Sequence, residues 1–202
     1  MDLRLLVYDA TCRELGVGLS DAWYAGSVLY RALGRFDHVL GARSWHEAWH
    51  WLAEIAPGER IAEVQYWGHG NWGNARLGGE RLDIDWLEPR HAQAAALNAL
   101  RDRLASDALF WFRTCETFGA ERGQDFARAF VDRFGCRAAG HTFIIGWWQS
   151  GLHSLAPGEV PTWPNDEGLR DGTPNAPERA RWSQPWAPNT VSCLRGYIPD
   201  GF

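Results

Sequence analysis

An α/β domain built on a mainly parallel sheet is the fold class this sequence predicts. Three observations predict it. Short apolar runs alternate with helical patterns over the first 146 residues, as repeated βαβ units require. The chain has 202 residues and 22.8 kDa, with 46% hydrophobic and 22% charged residues, enough for one core of its own and too apolar for a disordered tail. Thirteen tryptophans against one methionine ask for apolar contact and a partner for each indole N–H, so many rings belong in a core or a cleft.

Each element can be justified in order. Leu3 to Tyr8 reads as a buried first strand. Ser20 is placed to cap a helix running through Leu33, with Trp23, Val28 and Leu29 on its apolar side. Asp37 to Leu40 is a weak second strand. Ser44 opens a second helix that runs to about Ala56, where Pro57-Gly58 stops it. Ile61 to Trp67 is the third strand and ends in Gly68-His69-Gly70. Asn71 to Leu82 is glycine-rich, with Arg76-Leu77 and Arg81-Leu82 flanking Gly78-Gly79 as a small hairpin. A helix rich in alanine and leucine follows from about His91 to Leu104. Ala108 to Arg113 is the fourth strand and leads into Thr114-Cys115-Glu116. Residues 122–134 form a helix whose Phe126, Phe130 and Phe134, four apart, make a core stripe. Arg137 to Ile145 is the fifth strand.

The composition changes beyond Gly146. Eight of the ten prolines lie at or after position 157, yet Trp147, Trp148, Trp163, Trp182 and Trp186 argue against a free linker. Residues 147–202 are therefore expected to form an irregular Pro- and Trp-rich strap on the 1–146 core, one wall of a site and not a second domain.

Charge and composition exclude several functions. The formal net charge is −5 and all 20 basic residues are arginine, scattered in ones and twos, so neither nucleic acid nor a membrane surface is an expected partner. Without lysine, Schiff-base chemistry and a phosphate-loop lysine are ruled out. No apolar run approaches the length of a membrane span, and Met1 leads directly into Leu3-Arg4-Leu5-Leu6-Val7-Tyr8 without a basic n-region, so the expected compartment is the cytoplasm. Cys12, Cys115, Cys136 and Cys193 have no C-x-x-C spacing and read as independent thiols. Cys12, Cys136 and Cys193 have no basic neighbour in sequence and are expected to be structural. The oligomeric state is left open.

In open α/β sheets, reactive groups gather beyond the carboxyl ends of the strands. His69 follows the third strand in Tyr66-Trp67-Gly68-His69-Gly70, and Cys115 follows the fourth in Phe112-Arg113-Thr114-Cys115-Glu116. If those strands are neighbours, the two loops leave side by side and a Cys–His dyad is reasonable. His69 is then the general base and acid and Cys115 the nucleophile, with the Gly70 and Cys115 N–H groups as oxyanion donors. Glu116 beside the thiol would raise its pKa unless it turns away or pairs with Arg113. Taken singly, Cys115 also fits a small buried hydrophobe and His69 a hydrogen-bonding loop residue.

A strand, His-Gly, a glycine-rich segment, a helix, and a strand ending in Cys 46 residues after the histidine together resemble the caspase-like cysteine peptidases. The likeness is strongest to bacterial caspase-like domains and spans roughly residues 3–146. It implies a caspase-like three-layer sandwich, a thiol hydrolase acting on a peptide or protein, His69 as base, Cys115 as nucleophile, and no cofactor. It also implies a substrate pocket near Gln149, Ser150 and His153, but no arginine set for an acidic P1 side chain is recognisable; Arg113, read by itself from its place two residues before Cys115, is a candidate anchor for an acidic group. Thr114-Cys115-Glu116-Thr117 departs from the caspase Gln-Ala-Cys, so cleavage after aspartate is not implied.

Two other readings stay open. A caspase-like shell can serve as a non-enzymatic binding or scaffold module. Ser44-Trp45-His46-Glu47-Ala48-Trp49-His50 contains H-E-x-x-H, the zinc metallopeptidase pattern. Ser44 and Glu47 also form a capping box, which accounts for the glutamate, and no third ligand is evident, so no metal is expected.

Overall fold

The computed structural model describes residues 2–12 and 18–199. Its strands are β1 (Leu3–Asp9), β2 (His38–Ala42), β3 (Ile61–Trp67), β4 (His69–Asn71), β5 (Asn74–Leu77), β6 (Glu80–Leu82), β7 (Leu104–Arg113), β8 (Arg137–His141), β9 (Trp148–Gln149), β10 (Leu152–Leu155), β11 (Leu169–Gly172), β12 (Pro177–Ala180) and β13 (Val191–Ser192). Its α-helices are α1 (Leu19–Ala32), α2 (Trp45–Glu54), α3 (Ala94–Arg101) and α4 (Ala120–Phe134). Six strands form the central sheet in the order β10-β8-β7-β3-β1-β2. All neighbours are parallel except β10 with β8.

Strand alternation divides the side chains between two faces. Leu3, Leu5, Val7, Val64, Tyr66, Phe110 and Phe112 face α2, α3 and α4 in the larger core. Leu6 and Trp67 face the other way, where Tyr30 of α1 and Phe36 close on them. The result is a sheet between two layers, with helices on both sides. The expected phenylalanine stripe is buried: Phe110 and Phe112 meet Phe126 and Phe130 edge to face, and Phe134 stacks on Trp49. Trp45, Trp49 and Leu52 of α2 are fully buried, as the packing of this helix on the sheet predicts.

The path of the chain sets the position of any site. From β1 it moves one way to β2, then returns across β1 to β3 and continues the other way through β7 and β8. The direction therefore reverses between β1 and β3. In open sheets this reversal opens the crevice where ligands bind.

Several boundaries and faces differ from expectation. Gly18, not Ser20, caps α1, its N–H donating to Asp21 Oδ2 at 3.0 Å, while Ser20 Oγ donates to the Asp9 carbonyl at 2.8 Å. Val28 and Leu29 are half exposed; the buried residues of α1 are Ser20, Ser27 and Tyr30. Small hydroxyl residues bring this helix close to the sheet, and its aliphatic residues lie outside. The helix expected over 91–104 is shorter, because Leu104 already belongs to β7. The fifth strand ends at His141, since residues 142–146 leave the sheet to pack on the Cys115 turn and the strap. The Gly78-Gly79 hairpin forms as expected, with Leu77 opposite Glu80.

The strap is present but is fixed differently than its indoles suggest. Trp163 alone of its five tryptophans is buried, its N–H donating to the Phe118 carbonyl at 3.0 Å. Trp147, Trp182 and Trp186 are 61–81% exposed. The attachments are polar: Gln65 Nε2 donates to the Gly196 carbonyl at 3.0 Å, Arg113 Nη2 to the Cys193 carbonyl at 2.7 Å, and β9 pairs with β13. No helix among the described residues is long and apolar enough to cross a membrane.

Candidate functional site

β3 lies between β1 and β7, so its end loop emerges between theirs. His69, the first residue of β4, therefore has two thiol-bearing neighbours: Cys12 after β1 and Cys115 after β7. Its Nε2 lies 3.1 Å from Cys12 Sγ, within hydrogen-bonding distance. The indole of Trp23, from α1, meets the imidazole edge-on with centroids 5.6 Å apart. The reading of Cys12 as a thiol without a basic partner is therefore corrected: adjacent parallel strands join residues 57 positions apart.

Cys115 sits in a strained turn. Glu116 and Ala120 have φ of 35° and 60°, which non-glycine residues rarely adopt, and such strain concentrates at functional positions. The turn is held by Glu116 N–H donating to the Phe143 carbonyl and by Phe118 N–H donating to the His141 carbonyl, both at 3.0 Å. Cys115 Sγ points at the Ile145 carbonyl, 3.9 Å away. Burial pushes its thiol up to about 11, the neighbouring Glu116 charge adding to the effect. Burial also pushes the Glu116 carboxyl up to about 7, against the pull of Arg76. Glu116 Oε2 is buried without a hydrogen-bond partner. Arg113 makes no ion pair with Glu116 and donates instead to Gln149 Oε1 and the Cys193 carbonyl.

Gly70 joins the two loops. A Cβ at this position would lie 2.3 Å from Thr117 Oγ1, 2.7 Å from the Cys115 carbonyl and 2.8 Å from Thr114 Cβ. Only glycine lets the β4–β5 hairpin settle directly on the Cys115 turn. Thr117 Oγ1 completes the joint by donating to the Asn74 carbonyl at 3.1 Å. His69, Gly70 and Cys115 thus share one edge, and His69 makes its thiol contact with Cys12.

The pocket-lining candidates form an internal network. Arg113 Nε and Nη2 donate to Gln149 Oε1 at 3.1 and 2.9 Å. Its guanidinium lies over Trp111 and Trp67, and burial lowers its pKa to about 10. Ser150 is fully buried, exchanging hydrogen bonds with Thr190 Oγ1 and the Gln184 backbone. These residues bind the strap to the sheet. Neutral His141 completes the network, accepting from Trp111 Nε1 at 3.3 Å and donating to the Ser150 carbonyl at 3.1 Å; burial holds its pKa at about 3. His153 lines a cleft of about 460 Å³ with Trp163 and Asn189, where its Nε2 meets Glu167 Oε1 at 2.7 Å.

His46 and His50 share an exposed helix face, rings 4.5 Å apart. Glu47 is turned back to the helix start, its Oε2 accepting from the Arg43 N–H at 2.7 Å while Ser44 Oγ accepts from the Glu47 N–H at 3.1 Å. Among the described residues, no three His, Cys, Asp or Glu side chains converge as a metal site.

The sequence signal missed here was positional. Cys12 stands just beyond the first strand, at the same sheet edge as His69, and only the strand order reveals them as neighbours. No protein-family model matches this chain, and no curated protein is significantly similar to it.

Proposed function

We propose that this protein is a cysteine-dependent hydrolase of caspase-like architecture that acts on a peptide or protein, with Cys115 as nucleophile and His69 as general base and acid. The observation that carries this reading is the joint at Gly70. Neighbouring parallel strands deliver the two loops to one edge, and the loop bearing His69 rests on the carbonyl of Cys115. The strained turn after Cys115 supports it, as does a sheet with helices on both faces and one antiparallel edge strand.

In this mechanism His69 leaves its shared proton on Cys12, parts from that thiol and, as a neutral imidazole, takes the Cys115 thiol proton as substrate enters. The thiolate attacks the scissile carbonyl, and the oxyanion is received by the Gly70 and Cys115 N–H groups. His69 then protonates the leaving amine and activates the water that hydrolyses the thioester. Exclusion of water by substrate strengthens the thiol–imidazole interaction that a resting pKa of about 11 opposes. The exposed indoles of Trp147 and Trp182 flank residues 144–146 and offer apolar walls for the peptide.

The test is turnover of a mixed fluorogenic peptide library by the full chain and two variants. Cys115→Ala is expected to abolish turnover and Cys12→Ser to retain it. Turnover by Cys115→Ala at the wild-type rate would overturn the assignment. A second reading, a non-enzymatic binding module, is favoured by the suppressed Cys115 thiol and by the engagement of His69 with Cys12. It is the conclusion if no library peptide is cleaved and a peptide partner binds equally well to wild type and Cys115→Ala.

A further inference from the structure

The proposed hydrolase leaves Cys12, the thiol in contact with its general base, without a role. Cys12 and His69 meet at the reversal point of the sheet, between the loops of β1 and β3, where open α/β sheets place ligand chemistry. The four cysteines differ sharply in surroundings. Cys136 is buried, its thiol pushed up to about 12, and Cys115 stands at about 11. Cys193 is partly exposed and is also raised by burial, with Arg113 opposing the shift. Cys12 is the thiol in contact with an imidazole, and it is half-buried, within reach of small solutes. An imidazole at this distance can take up the thiol proton, which leaves a thiolate beside an imidazolium.

We propose that Cys12 is a redox modification site, the thiol that His69 primes in the resting protein and that hydrogen peroxide oxidises first. The Cys12 sulfur attacks one peroxide oxygen, an S–O bond forms and the O–O bond breaks. The departing hydroxide takes the proton held by His69 and leaves as water. Sulfur is oxidised by two electrons, peroxide is reduced, and Cys12 becomes a sulfenic acid. Among the described residues, Asp9 and Tyr66 are titratable groups beside this pair. Asp9 is occupied, its Oδ1 accepting from the Thr11 N–H and hydroxyl at 2.8 and 2.6 Å. Burial and the nearby Asp9 and Cys12 raise Tyr66, so it stays neutral, and its hydroxyl donates to the Arg76 carbonyl.

The reactivity of Cys12 rests on the His69 contact and not on the hydrolase reading. Its effect on hydrolysis rests on the function proposed above, because a sulfenic acid bonded to His69 withholds the imidazole from Cys115.

The test needs no substrate. The full chain is treated at pH 7 with one equivalent of hydrogen peroxide in the presence of dimedone, and the adducts are located by peptide mass mapping. An ordinary thiol is only a few per cent thiolate at this pH, so an ion-paired one gains up to about thirtyfold, less the lower intrinsic nucleophilicity of a low-pKa thiol. Cys12 is expected to be labelled about tenfold faster than Cys193, Cys115 or Cys136. In His69→Gln its labelling should fall about tenfold while Cys193 stays unchanged, which also reports that the variant is folded. If that variant does not fold, the wild-type rate of Cys12 alkylation by iodoacetamide decides between pH 6 and 9, where a primed thiol holds its rate toward pH 6. Labelling no faster than Cys193, no effect of His69→Gln, or a rate falling along an ordinary thiol titration would overturn the proposal. Failure of the hydrolase reading would instead appear as absent peptide turnover with Cys12 still labelled first.

Discussion

Gly70→Ala perturbs the joint between the two loops with a single methyl group. The contact to Thr117 Oγ1, 2.3 Å, cannot be relieved by rotating the hydroxyl freely, because that oxygen is bonded to Asn74 and to Thr114. The contact to the Cys115 carbonyl, 2.7 Å, is with backbone and must open to about 3.4 Å before it becomes ordinary packing. The hairpin or the Cys115 turn therefore moves by more than half an ångström, and overpacking of this kind costs about 1–3 kcal/mol. In a chain of this length each kcal/mol lowers Tm by about 2–4 °C, so a loss of about 4–8 °C is expected for a cost near 2 kcal/mol. The control is Gly79→Ala, at a position where a Cβ meets nothing within 4 Å and φ lies outside the left-handed region, and which should change stability by no more than about 0.5 kcal/mol. Thermal and urea unfolding of both variants give the comparison. Equal midpoints for Gly70→Ala and Gly79→Ala would refute the packing of the His69 loop on the Cys115 turn.

Other predictions concern the groups around this joint. The Glu116 carboxyl, raised from its ordinary range to about 7, binds a proton more tightly in the folded chain than in the unfolded one. Its contribution to stability is therefore full below about pH 4.5 and is lost as pH rises through about 7, at most about 3 kcal/mol in all. His141, buried and neutral, acts in the opposite sense, so the measurement is the stability difference between wild type and Glu116→Gln across pH 4–8, which should vary with pH; a constant difference would count against the buried carboxyl. Arg113→Met leaves Gln149 Oε1 and the Cys193 carbonyl without their charged donor and should cost about 2–4 kcal/mol. It should also raise amide exchange over residues 190–196, and unchanged protection there would show that the strap is held by other means. After chelator washing, zinc should bind at well under one equivalent, since among the described residues no third ligand joins His46 and His50; stoichiometric zinc lost on His46→Ala would contradict this.

Much of the fold was legible because local and tertiary signals agreed. Ile61–Trp67, the Gly78-Gly79 hairpin, the Ser44 cap and the phenylalanine stripe of α4 each follow from periodicity or turn chemistry, and each forms as expected. The apolar side of α1 is not readable from its aliphatic residues, because the buried ones are Ser20, Ser27 and Tyr30, where small polar side chains serve close approach. The strap tryptophans misled in the same way: indole content signalled burial, whereas backbone carbonyls accepting from Arg113 and Gln65 hold the strap.

At the candidate site, His69 and Cys115 could be placed at strand ends from the sequence, and the Gly70 joint brings their loops together. The bond between His69 and Cys12 is not readable from sequence, since it depends on β1 and β3 being adjacent and on Cys12 lying beside His69. Nothing local to Thr11-Cys12 carries that information. Likewise Arg113 and Gln149, 36 residues apart, look like separate pocket residues in sequence and prove to be one buried hydrogen-bonded pair.

The most direct test of the proposed chemistry uses a substrate-shaped electrophile. A small library of peptidyl acyloxymethyl ketones is incubated with the full chain, and the thioether that forms as the carboxylate departs is located by mass mapping. The account predicts an adduct on Cys115, dependent on the peptide and lost in His69→Ala, even though dimedone finds Cys12 in the resting protein. An adduct on Cys12, or labelling of Cys115 indifferent to both peptide and His69, would contradict the assignment of nucleophile and base.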